Sequence, residues 1–274
     1  MEMPIWLLIQ NGRAKQFSQI DRPTFKGFQK FKHNIPDKKP VALLIESPGG
    51  IPDEAYHIAR LFQRRGAPLT ILIPQYAKSA ATLLALAGHE LIMGRDAELG
   101  PLDVQVFEET RDRMGSALNT LQSLERLHAD VMNIVDGTMQ LLLIRTGKKV
   151  EAILPAVLHH GTEFVRPLVE KIDTLDYTEK SRVMKMAEGY AIELMTSAGY
   201  DGSDAEMIAH ELVTSFSDHG FNIDAAFARK LVRVPGKPNR GLAVKDAPAK
   251  VEKIFDRLMP FLDNLTVIGR IQEQ

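Results

Sequence analysis

The sequence predicts an α/β protein: a parallel sheet in the first third and a helical C-terminal half. Three observations predict it. Short apolar runs of strand length alternate with stretches of helical spacing up to about residue 94. Glycine and proline breaks separate these runs. Beyond about residue 106 the breakers thin out and leucines recur at helical intervals. Strand, helix and strand in succession call for right-handed crossovers and a sheet covered on both faces.

The elements follow in order. "PIWLLIQ" and "PVALLIES" are apolar runs too short for most helices and read as strands. "SPGG" breaks the chain, and "IPDEAYHIARLFQRRG" then places Ile51, Ala55, Ile58, Ala59 and Phe62 at helical spacing, with Gly66 as a stop. "PLTILIP" is a further strand, "SAATLLALAG" a helix ending at Gly88, and "ELIMG" a strand again. From residue 106 to about 143 the spacing of Leu118, Leu121, Leu124 and Leu127 predicts continuous helix. Helix continues over residues 151–199, with a capping pattern at "TEKS". "DGSDAEMIAHELV" is a helix capped at Ser203 or Asp204, and another begins near Asp224. Residues 235–250, rich in Pro, Gly and Lys, read as a loose tail before a closing amphipathic helix over 249 to about 265. The organisation expected is an α/β core over 1–110 and a helical region over 111–274 that completes the domain and carries oligomer contacts.

Composition excludes several function classes. The chain has 274 residues, 45% apolar and 25% charged, with a formal net charge of -1. These are the proportions of a soluble globular protein, and bulk charge argues against a nucleic-acid partner. There is no cysteine, so disulfides, thiolate chemistry and cysteine-ligated metals are excluded. No apolar run approaches the ~20 residues of a membrane span, and the N-terminus lacks the marks of a signal peptide, so a cytoplasmic protein is the expectation. His159 and His160 in "VLHHGTEF" do not form an H-E-x-x-H pattern, and no metal or cofactor is expected.

Candidate chemistry centres on Ser79 in "PQYAKSAATLLALAGHE". A serine ahead of a helix is most often an N-cap. In an open α/β sheet, however, ligands bind at the carboxyl ends of strands, and two such ends carry "ESPGG" and "PQYAKS". Gly49 and Gly50 allow a close approach of backbone, and the amides beginning at Ala80 lie at the positive end of the following helix. A serine at a strand-to-helix turn beside amides from a glycine turn is the layout of acyl transfer: the serine attacks and the amides of Gly49, Gly50 and Ala80 receive the oxyanion. Lys78 is adjacent in sequence and points to the opposite side of an extended chain, which argues against a Ser79–Lys78 dyad. His89 lies at the far end of the helix.

"LIESPGG", "AKSAATLLALAGHELIMG" and "AELGPLDVQ", with "SDHGFNI" later in the chain, resemble the serine dehydrogenase proteinase family, relatives of Clp protease and signal peptide peptidase A with the Clp–crotonase fold. The resemblance spans roughly residues 41–106 and is looser through the helical middle. It implies a serine peptidase with the triad Ser79, Asp103 and His219, a peptide or protein substrate, a homo-oligomer, and a regulatory partner not yet identified. The residue types suit the task, because histidine takes the hydroxyl proton and a carboxylate fixes its tautomer. Read without the resemblance, Asp103 is a turn residue and His219 an exposed turn histidine. A dyad of the signal peptide peptidase kind requires Lys148, Lys149 or a later lysine. Two rival functions are a crotonase-type acyl-CoA enzyme, which needs no serine, and a non-catalytic assembly protein of the same fold.

Overall fold

The computed structural model describes residues 3–10, 18–103, 105–108, 113–216, 220–233, 238–262 and 266–270. It forms two compact units, Met1–Asp103 with Lys185–Gln274, and Val104–Met184.

In the first unit, five parallel strands form most of one sheet: β1 (Ile5–Ile9), β2 (Val41–Glu46), β3 (Leu69–Ile73), β5 (Glu90–Met93) and β10 (Val244–Asp246). A sixth strand, β11 (Val267–Arg270), runs antiparallel beside β1, giving the order β10-β5-β3-β2-β1-β11. Every residue of β2, "VALLIE", is buried, as a strand covered on both faces requires. α1 (Arg22–Phe31) starts at Asp21, whose carboxylate accepts the Thr24 amide, and buries Phe25 and Phe28. α2 (Pro52–Gln63) buries Ala55, Ile58, Ala59 and Phe62, the face its spacing predicts. Phe62 meets Trp6 and Phe28 edge-on. Near the carboxyl ends of these strands, β4 (Tyr76–Ala77), β6 (Glu98–Leu99) and β9 (Ile223–Asp224) make a second, three-stranded sheet. α3 (Ala80–Ala85) follows β4 and is buried throughout, which explains its small residues. α7 (Gly202–Thr214), α8 (Ala225–Ala228) and α9 (Ala249–Leu262) complete this unit with the end of α6 (Thr174–Ser197). Phe255 and Leu262 of α9 pack with Ile9, Ala42, Leu44 and Leu72 of the sheet.

In the second unit, β7 (Gln105–Glu108) and β8 (Arg113–Ser116) form an antiparallel hairpin. α4 (Ala117–Thr146) and α5 (Val150–Val169) then run as a helical hairpin. Gly147 closes α4 in the left-handed conformation, donating its amide to Leu143. Ile153, Val157, Gly161 and Val165 of α5, four residues apart, form its buried stripe.

Several sequence expectations are corrected. Residues 106–108 and 113–116 are strand rather than helix; the helix begins only at Ala117, capped by Ser116, whose hydroxyl accepts the Leu118 amide. "TEKS" lies inside α6, because Asp173 accepts the Leu175 and Asp176 amides and caps the helix earlier. α7 is capped by Asp201, which accepts the amides of both Ser203 and Asp204. Asp224 caps α8, as expected. Within the stretch read as a loose tail, Val244–Asp246 is a sheet strand, too short to show periodicity.

Candidate functional site

Ser79 joins β4 to α3 with φ 50° and ψ -119°. A side chain resists positive φ, and holding one there costs on the order of 1–3 kcal/mol. Its hydroxyl makes no capping bond. The N-cap reading therefore fails on geometry: a capping serine has extended φ/ψ and bonds an amide of the first turn. α3 is only six residues long, so what the turn offers a ligand is individual amides rather than a long helix dipole.

The turn is held from three sides. Ser47 donates its amide to Tyr76 and accepts the Lys78 amide, aligning "ESPGG" with the strand leading to Ser79. Gly49, at φ +103°, approaches so closely that a Cβ there would stand 2.5 Å from the Lys78 carbonyl oxygen and 3.0 Å from Ser79 Cβ. Gly100 packs from the other direction, its Cβ position 3.2 Å from the Ser79 amide nitrogen. Buried Thr82 binds this third segment, with its hydroxyl 2.7 Å from the Ala77 carbonyl, 2.9 Å from the Gly100 carbonyl and 3.0 Å from the Gly100 amide. Buried Glu46 accepts the Gln75 and Tyr76 amides and fixes the start of β4.

The predicted oxyanion donors separate. Gly49 gives its amide to Ser47 Oγ at 3.1 Å. The amides of Gly50 and Ala80 have no protein acceptor among the described residues. The Gly49 carbonyl accepts from Ile20 at 2.7 Å and the Ile51 amide donates back to Ile20 at 2.8 Å. In a trans peptide the N–H opposes the C=O, so the Gly50 amide points away from Ile20. The opposite edge of this segment is the one that pairs, through Ser47, with Tyr76 and Lys78.

Asp103 is buried, 3% exposed, and lies three residues beyond Gly100. That spacing keeps its Cα within about 11 Å of the glycine's. His219 lies outside the described residues. The chain just after it is anchored: Asn222 accepts from Lys78 Nζ at 2.7 Å, and β9 pairs antiparallel with β6, Leu99 opposite Ile223. The small sheet thus gathers segments from residues 76–79, 98–103 and 220–224. Lys78 is committed to Glu98 at 2.8 Å as well as to Asn222, so it serves as a clamp between segments. Lys148 and Lys149 lie between α4 and α5 in the second unit. His89 Nδ1 accepts the Leu69 amide, and burial, then the Arg65 charge, lowers its pKa.

Sequence reading missed Gln10, Ser47, Thr82 and Asn222. A hydroxyl directly before a glycine turn was a usable signal for Ser47. Gln10 gave none, because its partner Ser47 is 37 residues away.

Residues 28–160 match the family of ClpP-like SDH-type serine proteinases. The resemblance read from the sequence is borne out over those residues. Two uncharacterized proteins of Methanocaldococcus jannaschii are 39% and 41% identical to this chain over 71 residues, 26% of its length. The chain spans about a quarter of these curated relatives, 24% and 25% of their lengths. A solved variant of the 1510-N membrane-bound stomatin-specific protease, in complex with a substrate peptide, is 12% identical with a TM-score of 0.43, covering 93% of this chain and 99% of its own. A ClpP1 variant from Listeria monocytogenes is 14% identical with a TM-score of 0.29, covering 54% of this chain and 75% of its own. Among the described residues, no helix is long and apolar enough to cross a membrane.

Proposed function

We propose that this chain is a serine peptidase that works through an acyl-enzyme on Ser79. The observation that carries the reading is the Ser79 backbone, held at φ 50° with its hydroxyl free of any capping bond. Strain of this kind persists where the surroundings over-determine it, and it concentrates at functional sites.

In the proposed mechanism, Ser79 Oγ attacks the scissile carbonyl while His219 takes its proton and Asp103 orients the imidazole. The amides of Gly50 and Ala80 receive the oxyanion, whereas Gly49 shapes the turn. Collapse breaks the C–N bond, and His219 returns the proton to the leaving amine. Water, deprotonated by His219, then attacks the ester carbonyl and releases the acid, restoring Ser79. Three features support these roles: the amides of Gly50 and Ala80, which have no protein acceptor among the described residues, the burial of Asp103 close along the chain to the Ser79 turn, and the anchoring of Asn222 beside Lys78. The substrate is an extended peptide running past Gly49 to Pro52.

The chain also self-associates in this reading. Its second unit carries Leu141, Ile144, Val150, Leu154, Leu158, Phe164 and Leu168 exposed, more apolar surface than a free helical hairpin normally shows water.

Labelling with a fluorophosphonate probe tests the chemistry. A base-activated serine is phosphonylated, and the label vanishes with Ser79→Ala. His219→Ala against Lys148→Ala and Lys149→Ala then identifies the base. A folded protein that takes no label overturns the peptidase reading in favour of an assembly protein.

A further inference from the structure

A buried polar chain runs behind the glycine turn. Gln10, Thr24 and Ser47 are at most 1% exposed. Gln10 Nε2 lies 2.7 Å from the Gln19 carbonyl and 3.2 Å from Thr24 Oγ1. Ser47 Oγ lies 2.7 Å from Gln10 Oε1, and the Gly49 amide 3.1 Å from Ser47 Oγ. Thr24 Oγ1 reaches the Asp21 carboxylate at 2.7 Å.

The direction of every bond is forced. The Gln19 carbonyl only accepts, so the Gln10 NH₂ faces it and Oε1 faces Ser47. Ser47 therefore spends its single proton on Gln10 and has only lone pairs left for the Gly49 amide. At the far end, the Asp21 carboxylate accepts and Thr24 donates. Bonds aligned in one direction polarise one another, and in a dry interior each is costly to lose. The chain ends at the peptide unit that sets φ of Gly49, and with it the direction of the next amide, Gly50.

We infer that Gln10, Ser47 and Thr24 are positioning residues that aim the Gly50 amide at the substrate oxyanion. The inference rests on the peptidase reading and extends it from the turn to residues that touch no substrate. With Ser47 silent, the Gly49 amide loses its acceptor, and the Gly49–Gly50 peptide is held by its Ile20 bond alone, with φ of Gly49 less tightly set. Binding of a planar ground-state carbonyl barely changes, while stabilisation of the tetrahedral state falls.

The test uses the full chain and two probes: the second-order rate of Ser79 phosphonylation, and inhibition of that reaction by phenylboronic acid, whose tetrahedral adduct sets a charged oxygen in the same place. Losing one oxyanion donor outright slows an enzyme about 100-fold to 1,000-fold, so misaiming one should slow labelling by about tenfold to 100-fold in Ser47→Ala and Gln10→Met. Boronate affinity should weaken in step, and Ser47→Thr, which keeps the hydroxyl, should recover most of the rate. Wild-type rates and boronate affinity in folded Ser47→Ala and Gln10→Met, with the wild type itself labelled, would overturn this inference alone. Failure of the wild type to label overturns the peptidase reading, and this one with it. Should Ser47→Ala not fold, Gln10→Met and Thr24→Val, which nearly conserve side-chain volume, decide by the same two readouts.

Discussion

The two units use similar apolar content in opposite ways. In Met1–Asp103 with Lys185–Gln274, strand residues such as Leu43, Ile45, Ile71 and Ile73 are wholly buried. In Val104–Met184, the helices bury one stripe and leave Ile144 83% and Phe164 61% exposed. A sheet covered on both faces closes its own core, whereas a two-helix hairpin has a second face and nothing within the hairpin to bury it against. Rigid placement of a nucleophile calls for the first kind of environment. The bare second kind suits association.

The largest effect that sharpens this contrast is at Ser79, the proposed nucleophile. Ser79→Ala should abolish phosphonylation and peptide cleavage, a loss of 10³-fold or more on the order seen for catalytic serines. Its unfolding free energy should stay within about 0.5 kcal/mol of wild type, because no capping bond is removed. A cap serine would show the reverse, with stability falling by about 1 kcal/mol. Core substitutions come next. Ile71→Ala should cost about 2–5 kcal/mol, measured by urea unfolding. Leu158→Ala in the hairpin should cost under about 0.5 kcal/mol in the monomer. A cost for Leu158→Ala that grows with protein concentration would show the bare face covered by a second copy, and Leu158→Glu would then shift the mass seen by light scattering to the monomer.

How far the sequence is legible follows the same division. The parallel strands β1, β2, β3 and β5 and the face of α2 could be read because local periodicity and burial agree there. Ser79 was legible as a turn serine, yet its choice between cap and nucleophile depends on φ, which Gly49 and Gly100 impose from 30 and 21 residues away. The partners of the turn, Gln10, Thr82 and Asn222, were not legible, since each acts through hydrogen bonds to residues distant in sequence that leave no periodic trace. The β7–β8 hairpin was lost for the opposite reason: the leucine spacing that starts at Leu118 was extended backwards past the cap at Ser116. β10 and β11 are short, and they form only because a sheet edge is already present to pair with.

A smaller effect separates the site from its scaffold. Thr82→Val keeps the shape of a wholly buried side chain but leaves the Gly100 amide and two carbonyls without its hydroxyl. The expected cost is about 1–3 kcal/mol. The rate of Ser79 phosphonylation should fall as well, because Gly100 stands against the Ser79 amide. A stability loss without a rate loss would mean that the Gly100 segment supports the fold and not the nucleophile.

The smallest expected effect distinguishes the units by pH. Tyr190 donates to Asp53 Oδ1 at 2.6 Å, and stacks on Tyr56 with ring centroids 4.2 Å apart, tying α6 to α2 within the sheet unit. The bond to Asp53, then burial, then the Asp53 charge raise the Tyr190 pKa from 10.0 to about 12. A raised folded-state pKa means that the unfolded chain loses this proton first. The associated stability is therefore complete below pH 10 and is lost as pH rises towards about 12. Tyr56 is shifted in the same direction, by burial first and then by Glu193, and adds to the trend. The urea midpoint of the wild type should decline across that window more steeply than that of Tyr190→Phe, which has no phenolic proton to lose. The decline should register in Trp6 fluorescence, since the only tryptophan lies in the sheet core. Equal slopes for the two proteins would show that the Tyr190–Asp53 bond contributes nothing to the hold of α6 on α2, leaving it to the Gln63–Leu194 and Arg60–Ser197 bonds and the buried face of Ala191, Leu194 and Met195.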